Sequence, residues 1–587
     1  MSRRVLLFLV PLLLAVSSSV RAAEKPALVV VISVDQMRSD YLERYRPWFG
    51  RDGFRRFLDR GARYPEARHR HAAMFTCPSH ASIGSGLDPR ETGVVGNYWY
   101  DAAKGRREYC VEDRAAEWVG IPPDAPKITI RPASPVLLSG HFLGDRLKEK
   151  FPGARVVTLA LKDRAAVPMG GRRADAAVWF ERRFERFVTS TYYPPRPSLL
   201  AFNEKLPAFF AAHPRWELSG RIPEKDLARV TFDPPALARF KGSLPGTGEA
   251  FPHPLPDVRS IVESPFGDEL VLALARHAVA DFRLGRNAAK APDLLFLGLS
   301  SMDYYGHRSG ADSREVADGI VRLDGDLEAF FLWLDAEVGA GRTLFFLTGD
   351  HGATTIPEVA REKARLRTGR DEPGLAGRVD FANGTGGAPT IAAGAPDRVV
   401  LEKHLAAAFG YTLDPSLPNA LEGAVHRFED PIGFYLNRAV LARRRLAPER
   451  VKEAVRDWLR KRPGVSASYT NTEIGNGLPA SEPLALAIER SFRADRSPDV
   501  AVYLKPGWIF RKEPGSTHGQ PTDEDSRVPV LAFGPGVLTG SFSLRVSPLS
   551  IARTVAALYG FEAGAPDVEV LEAVLGRAEG IRKAASP

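Results

Sequence analysis

Five short apolar runs, each closed by a turn signal, limit the fold of this chain more than any other feature. They are LVVVISV (residues 28–34), RVVTLAL (155–161), LLFLGLS (294–300), TLFFLTG (343–349) and VPVLAFG (528–534). A strand with one wet face alternates apolar and polar residues, whereas a strand covered by helices on both faces stays apolar throughout. These runs do the second, and they predict buried strands of a parallel sheet. Between the third and the fourth, Val316, Ile320, Leu323, Leu327, Phe330, Leu334 and Val338 recur at three- and four-residue steps, the stripe of an amphipathic helix. Strand, helix, strand in that order gives an α/β core. A chain of 587 residues can bury a sizeable core, in one large domain with insertions or in two domains.

Two stretches differ. Residues 181–256 are rich in Pro, Arg and aromatics without strand periodicity, and residues 358–498 carry helical pieces such as PERVKEAVRDWLRKRPG. Both are expected to be insertions that cap or flank a core made of 23–180, 257–357 and 499–587. The first residues combine Arg3 and Arg4, an apolar run from Val5 to Val16 and small residues up to Ala22. That is the layout of a cleaved secretory signal over residues 1–22, which predicts a periplasmic or secreted protein. The run is too short for a comfortable membrane span, and no later segment approaches one, so no membrane attachment is expected after cleavage. A net charge of +9 with interspersed signs gives no sign of nucleic-acid binding. Two cysteines, Cys77 and Cys110, rule out a disulfide scaffold, and their spacing does not decide whether they pair.

In open α/β sheets, ligands bind outside the carboxyl ends of the strands. Asp35 follows the first run, Lys162 and Arg164 the second, Asp303 and His307 the third, and Asp350 and His351 the fourth. Singly, each has a structural explanation: an Asp caps a turn or helix, and a Lys or Arg is a solvated rim charge. Together, carboxylates and imidazoles along one sheet edge form the ligand set of divalent ions, zinc above all. Asp303 and His307 are four apart, hence on one face of a helical turn. Asp350 and His351 are adjacent and converge only if the backbone turns sharply, which Gly352 permits. Two ions about 4 Å apart suit phosphoryl transfer.

The stretch MFTCPSHASIGSG (74–86) supplies a nucleophile of two possible kinds, the Thr76 hydroxyl or the Cys77 sulfur. Pro78 suits the first turn of a helix, placing Thr76 or Cys77 at or beside its N-cap, where unpaired N–H groups favour a phosphate. His69 and His71 in ARHRHAA alternate like residues of a strand leading to that stretch.

Assembled, the motifs VVVISVDQMRSDYL, MFTCPSHASIGSGLDPRETGVVGNYWYD, LALKDRAAVPMGGRRADAAVWF, SSMDYYGHRSG, FFLTGDHGA and STHGQPTDEDSRVPVLAFGPGV resemble the alkaline phosphatase superfamily. More closely, they are similar to the exported, phosphate-irrepressible bacterial alkaline phosphatases of the PafA type, which share a nucleotide pyrophosphatase/phosphodiesterase-like core. The resemblance implies a three-layer α/β/α core with a mostly parallel sheet and inserted caps. It implies two zinc ions, one held by Asp303, His307 and His518, the other by Asp35, Asp350 and His351 together with the Thr76 oxygen. His518 is picked by the resemblance alone. Asn97, Lys162 and Arg164 would bind the nonbridging phosphoryl oxygens, and the Lys and Arg pair argues for monoesters over diesters. The implied reaction is hydrolysis of small phosphate monoesters with broad specificity through a phosphothreonine, by a monomeric chain; the alternative is a phosphodiesterase or nucleotide pyrophosphatase of the same superfamily. Sulfatases of that superfamily mature a cysteine within Cys-x-Pro-x-Arg. Here Pro78 comes one place early and the Arg is absent, which makes Thr76 the nucleophile and Cys77 its small buried neighbour. One departure is the segment EDSRVPV, where the family pattern runs nearer YDTHVPV, so that Arg527 stands in place of a histidine.

Overall fold

A computed structural model of the chain describes residues 25–125, 128–242, 246–248, 250–379, 397–411, 425–429, 432–511 and 513–577. The leader read at 1–22 lies outside them. A ten-stranded sheet runs through the molecule, made of β1 (Leu28–Val34), β2 (Ala62–Tyr64), β3 (Trp118–Val119), β4 (Val156–Ala160), β5 (Ala176–Glu181), β6 (Arg186–Ser190), β7 (Asp293–Leu299), β8 (Thr343–Gly349), β9 (Val530–Phe533) and β10 (Gly540–Ser541). Their spatial order is β10-β2-β9-β8-β1-β7-β4-β5-β6-β3. The central five, β8-β1-β7-β4-β5, are all parallel.

Side chains alternate across β1: Leu28, Val30, Ile32 and Val34 enter one core, Val29 and Val31 the other. Helices α3 (Phe266–Phe282) and α5 (Arg314–Val338) cover the first face. Helices α1 (Thr76–Ser85) and α2 (Asp163–Gly170) cover the second, giving three layers. On α5 the whole stripe from Val316 to Val338 is buried, each such side chain contributing about 1.5–3 kcal/mol. Ser313 starts that helix by accepting a hydrogen bond from the Val316 N–H at 3.2 Å.

The strand read as parallel at 528–534 is antiparallel to both β8 and β2. Its direction follows from where the chain comes from. His518 lies at the carboxyl edge, bonded to the Met74 carbonyl, and Val530 pairs with Thr348 near the end of β8, so β9 begins where the parallel strands finish. In the Pro- and Arg-rich stretch after residue 181, β6 folds back antiparallel to β5. Phe187 and Val188 enter opposite cores, a central-strand signature too short to stand out among its neighbours.

A separate antiparallel sheet, ordered Val425–Glu429, Ile432–Leu436, Val500–Leu504, Val465–Thr470, has its own core. Helix α6 (Pro448–Arg460) buries Val451, Val455, Trp458 and Leu459 in that core. Residues beside this sheet dock next to the start of α1: the Ser491 hydroxyl accepts from the Ala72 and Ala73 N–H groups, and Arg496 donates to the Gly93 and Leu137 carbonyls. Among the described residues no helix is long and apolar enough to cross a membrane.

Candidate active site

The carboxyl ends of β1, β7 and β8 deliver three buried carboxylates to one spot. Asp35 follows β1 directly, Asp350 follows β8, and Asp303 sits in the first turn of α4 (Ser301–Ser309), just past β7. Lys162, capping position of α2 at the end of β4, reaches between two of them, its ammonium 2.5 Å from Asp35 Oδ2 and 2.5 Å from Asp303 Oδ2. Gln36 ties the third in. Its N–H donates to Asp350 Oδ1 at 3.1 Å and its side-chain amide donates to Asp303 Oδ1 at 3.0 Å. Gln36 does this from a left-handed backbone (φ 66°), a costly conformation for a residue with a side chain.

Three histidines close on the carboxylates. His307 Nε2 lies 3.0 Å from Asp303 Oδ1, one helical turn along α4. His518 Nε2 lies 3.6 Å from the same oxygen, and His351 Nε2 lies 3.3 Å from Asp350 Oδ2 and 3.4 Å from Asp35 Oδ1. Each donates its Nδ1–H to a carbonyl: His307 to Ser516, His351 to Gly352, His518 to Met74. A carbonyl can only accept, so in the neutral rings the proton is on Nδ1 and the Nε2 lone pair faces the carboxylates, as in a metal-ligating histidine.

Electrostatics agree with that geometry. Burial works against the Lys162 charge, but Asp303 and Asp35 outweigh it and raise its pKa. Burial pushes Asp303 up, yet His307 and Lys162 hold it well below the usual carboxylate range. For Asp350, burial and then Asp35 act together and push it well above that range. Burial, then the neighbouring His307, brings His518 down to about 4, and burial, then His518, keeps His351 neutral.

Asp35 Oδ1, Asp350 Oδ2 and His351 Nε2 are buried acceptors with no hydrogen-bond donor. Acceptors facing one another in a dry site repel unless a cation binds them. Ligand atoms of Asp35, Asp350 and His351 lie within 4.8 Å of one another, and so do those of Asp303, His351 and His518. The residues thus fit divalent metal, with His351 common to both groups and His307 adjoining the second through Asp303.

Thr76 is the first residue of α1, and its carbonyl accepts from His80 Nδ1–H at 2.8 Å. The same ring atom is 3.4 Å from Asp350 Oδ2, which joins the helix to the ligand edge. Asn97 Oδ1 accepts from the Cys77 N–H at 2.8 Å. Cys77 and Cys110 are joined in a disulfide, which the spacing had left open. For Arg164, burial opposes the charge, but Tyr109, Tyr304 and Asp163 raise its pKa. With Lys162 it lines a cavity of about 330 Å³ also walled by Tyr98, Tyr109, Trp179 and Tyr304.

His69 and His71 are not on a strand. They lie in a loop fixed by one bridge between Arg68 and Arg527 and by the contact of His69 Nε2 with the Gly349 carbonyl at 3.1 Å, and the His69 and Ala72 N–H groups donate to the Ser526 and Ala487 carbonyls of two different segments, so no ladder continues. The divergent EDSRVPV segment is anchored by Asp525, which accepts from the Thr354 hydroxyl and the Gln520 N–H, while Arg527 pairs with Glu66. Gln36 and His80 were missed by sequence reasoning. His80 carried a signal, its four-residue spacing from Thr76; Gln36 carried only its place beside Asp35.

Residues 29–527 match the family model described as type I phosphodiesterase / nucleotide pyrophosphatase. The chain is 32% identical over 554 residues to the alkaline phosphatase PhoK of a Sphingomonas species, covering 92% of this chain and 89% of PhoK. It is 30% identical over 573 residues to the alkaline phosphatase PafA of Elizabethkingia meningoseptica, covering 95% and 96%. The crystal structure of wild-type PafA superposes with a TM-score of 0.78 at 28% identity, covering 94% of this chain and all of that one. The chain therefore belongs to the type I phosphodiesterase/nucleotide pyrophosphatase family and, within it, to the alkaline phosphatases of the PafA and PhoK type.

Proposed function

We propose that this chain is an exported phosphate monoester hydrolase that binds two zinc ions and works through a phosphothreonine at Thr76. The observation that carries the reading is the set of buried acceptors, Asp35 Oδ1, Asp350 Oδ2 and His351 Nε2, facing one another beside the first turn of α1. One ion would be held by Asp35, Asp350, His351 and Thr76, the other by Asp303, His307 and His518. Such ions supply Lewis acidity on both sides of an in-line displacement.

The side chains account for the rest. Thr76 Oγ1 loses its proton and bonds to phosphorus as the ester P–O bond breaks and the alcohol departs. Asn97, Lys162 and Arg164 bind the nonbridging oxygens, and the first-turn N–H groups of α1 favour the anion. Water then attacks the phosphothreonine, releasing inorganic phosphate and restoring the hydroxyl. A monoester brings one more negative charge than a diester, and the Lys162 and Arg164 cations favour it for that reason.

The test is hydrolysis of an aryl phosphate monoester and the matching diester by the purified protein with zinc. We expect a strong monoester preference, loss of turnover in Thr76→Ala, and a preference reduced about tenfold to a hundredfold in Lys162→Ala plus Arg164→Ala, from one to two charged hydrogen bonds. A diester preference in the unaltered protein would overturn the reading.

A further inference from the structure

Asn97 is gripped by both halves of one disulfide. Cys77 follows Thr76 as the second residue of α1. Cys110 closes the hairpin of Tyr98–Asp101 and Arg106–Tyr109, and the two sulfurs are bonded. The Cys77 N–H donates to Asn97 Oδ1 at 2.8 Å, and the Cys110 N–H donates to the Asn97 main-chain oxygen at 2.9 Å. Both oxygens of Asn97 therefore take their hydrogen bonds from amides of the bridged pair, and both cysteines are fully buried.

Two consequences follow from elementary chemistry. The Cys77 N–H needs an acceptor, so the Asn97 carboxamide cannot turn over, and its NH₂ group is committed to the opposite side. That N–H is also one of the first-turn amides that a helix cannot satisfy internally, and the residue before α1 is Phe75, which offers no side-chain cap. Asn97 does this from twenty positions away, at the base of a two-stranded hairpin that is marginal on its own. The covalent link ties the hairpin base directly to the start of α1, alongside the hydrogen bond from the Tyr109 hydroxyl to Asp163.

We propose that the Cys77–Cys110 disulfide is a positioning element of the reaction, fixing Asn97 so that its amide nitrogen donates to a nonbridging oxygen of the phosphoryl group transferred to Thr76. This rests on the roles given above to Asn97 and Thr76. The cystine acts through Asn97 and touches no substrate itself.

A double-mutant cycle tests it: kcat/KM for an aryl phosphate monoester, and inhibition by vanadate, in Asn97→Ala, in Cys77→Ala plus Cys110→Ala, and in the triple variant. Asn97→Ala is expected to lose on the order of a hundredfold, as for one oxyanion donor. The cysteine pair should lose about tenfold or more, and the triple variant no more than Asn97→Ala alone, with vanadate affinity following the same pattern. A triple variant whose loss is the product of the two separate losses overturns the proposal, as does a cysteine pair with full kcat/KM and vanadate affinity. Full activity in Asn97→Ala would instead overturn the role of Asn97 itself. Should the alanine pair not fold, the bulkier Cys77→Val plus Cys110→Val pair carries the same cycle.

Discussion

Two buried carboxylates, Asp499 beside the smaller sheet and Asp350 at the edge of the main one, are handled in opposite ways. Asp499 Oδ2 accepts from the Leu436 N–H at 2.7 Å, and its Oδ1 accepts from Arg438 at 2.6 Å and Asn471 at 3.3 Å. Every oxygen is used, and the residue joins neighbouring segments as a structural polar group should. Asp350 Oδ1 accepts from the Gln36 and His351 N–H groups, but its Oδ2 has no donor and faces other acceptors. Burial alone does not distinguish the two; what sets Asp350 apart is an unspent acceptor turned toward the other acceptors Asp35 and His351.

The sharpest way to break that contrast is Asp350→Ala. It should lose bound metal on dialysis and lower kcat/KM by at least about 10³-fold; metal content by elemental analysis and turnover are the readouts, and full metal retention would erase the distinction. Gln36→Leu, which removes the donor to Asp303 without touching a ligand, should weaken metal binding about tenfold to a hundredfold in chelator competition. Asp499→Ala leaves the Leu436 N–H without its partner and should cost about 1–3 kcal/mol in denaturant unfolding, with kcat/KM of the folded fraction unchanged.

A fourth effect is a slope in pH. Burial raises Asp525 to about 7, above its unfolded value of about 3.9, so the native chain holds that proton more tightly. The stability contributed by this group is complete below about pH 4 and is lost as pH rises toward 7. In Asp525→Asn the carboxamide can accept from the Gln520 N–H and donate to the Thr354 hydroxyl, which flattens the slope. Thermal unfolding of both chains between about pH 4.5 and 7.5 reads the difference; parallel curves would mean that Asp525 carries its charge in the native state.

What the sequence disclosed was whatever acts locally. A doubly covered strand has to be apolar throughout, and the polar residue after it has to lie at the carboxyl edge, so Asp35, Lys162, Asp303 and Asp350 could be placed before any coordinates. Direction is not written in an apolar run, which is why β9 was read as parallel. Gln36 depends on a left-handed backbone and on contacts across three strands, neither of which leaves a pattern in the chain. His518 arrives on a loop and was reachable only through resemblance. A separation of 33 residues fits a bonded or an unbonded cysteine pair equally well.

The late arrival of β9 has a consequence for how the chain is made. Among the described residues, β9 is the strand that links β2 to β8. Until residues 530–533 emerge, β2 lacks its partner, and β8 presents an unpaired edge. Such an edge is a template for other chains. A product cut short anywhere before Val530 would therefore be prone to self-association, and that edge stays open until the last tenth of the polypeptide is in place.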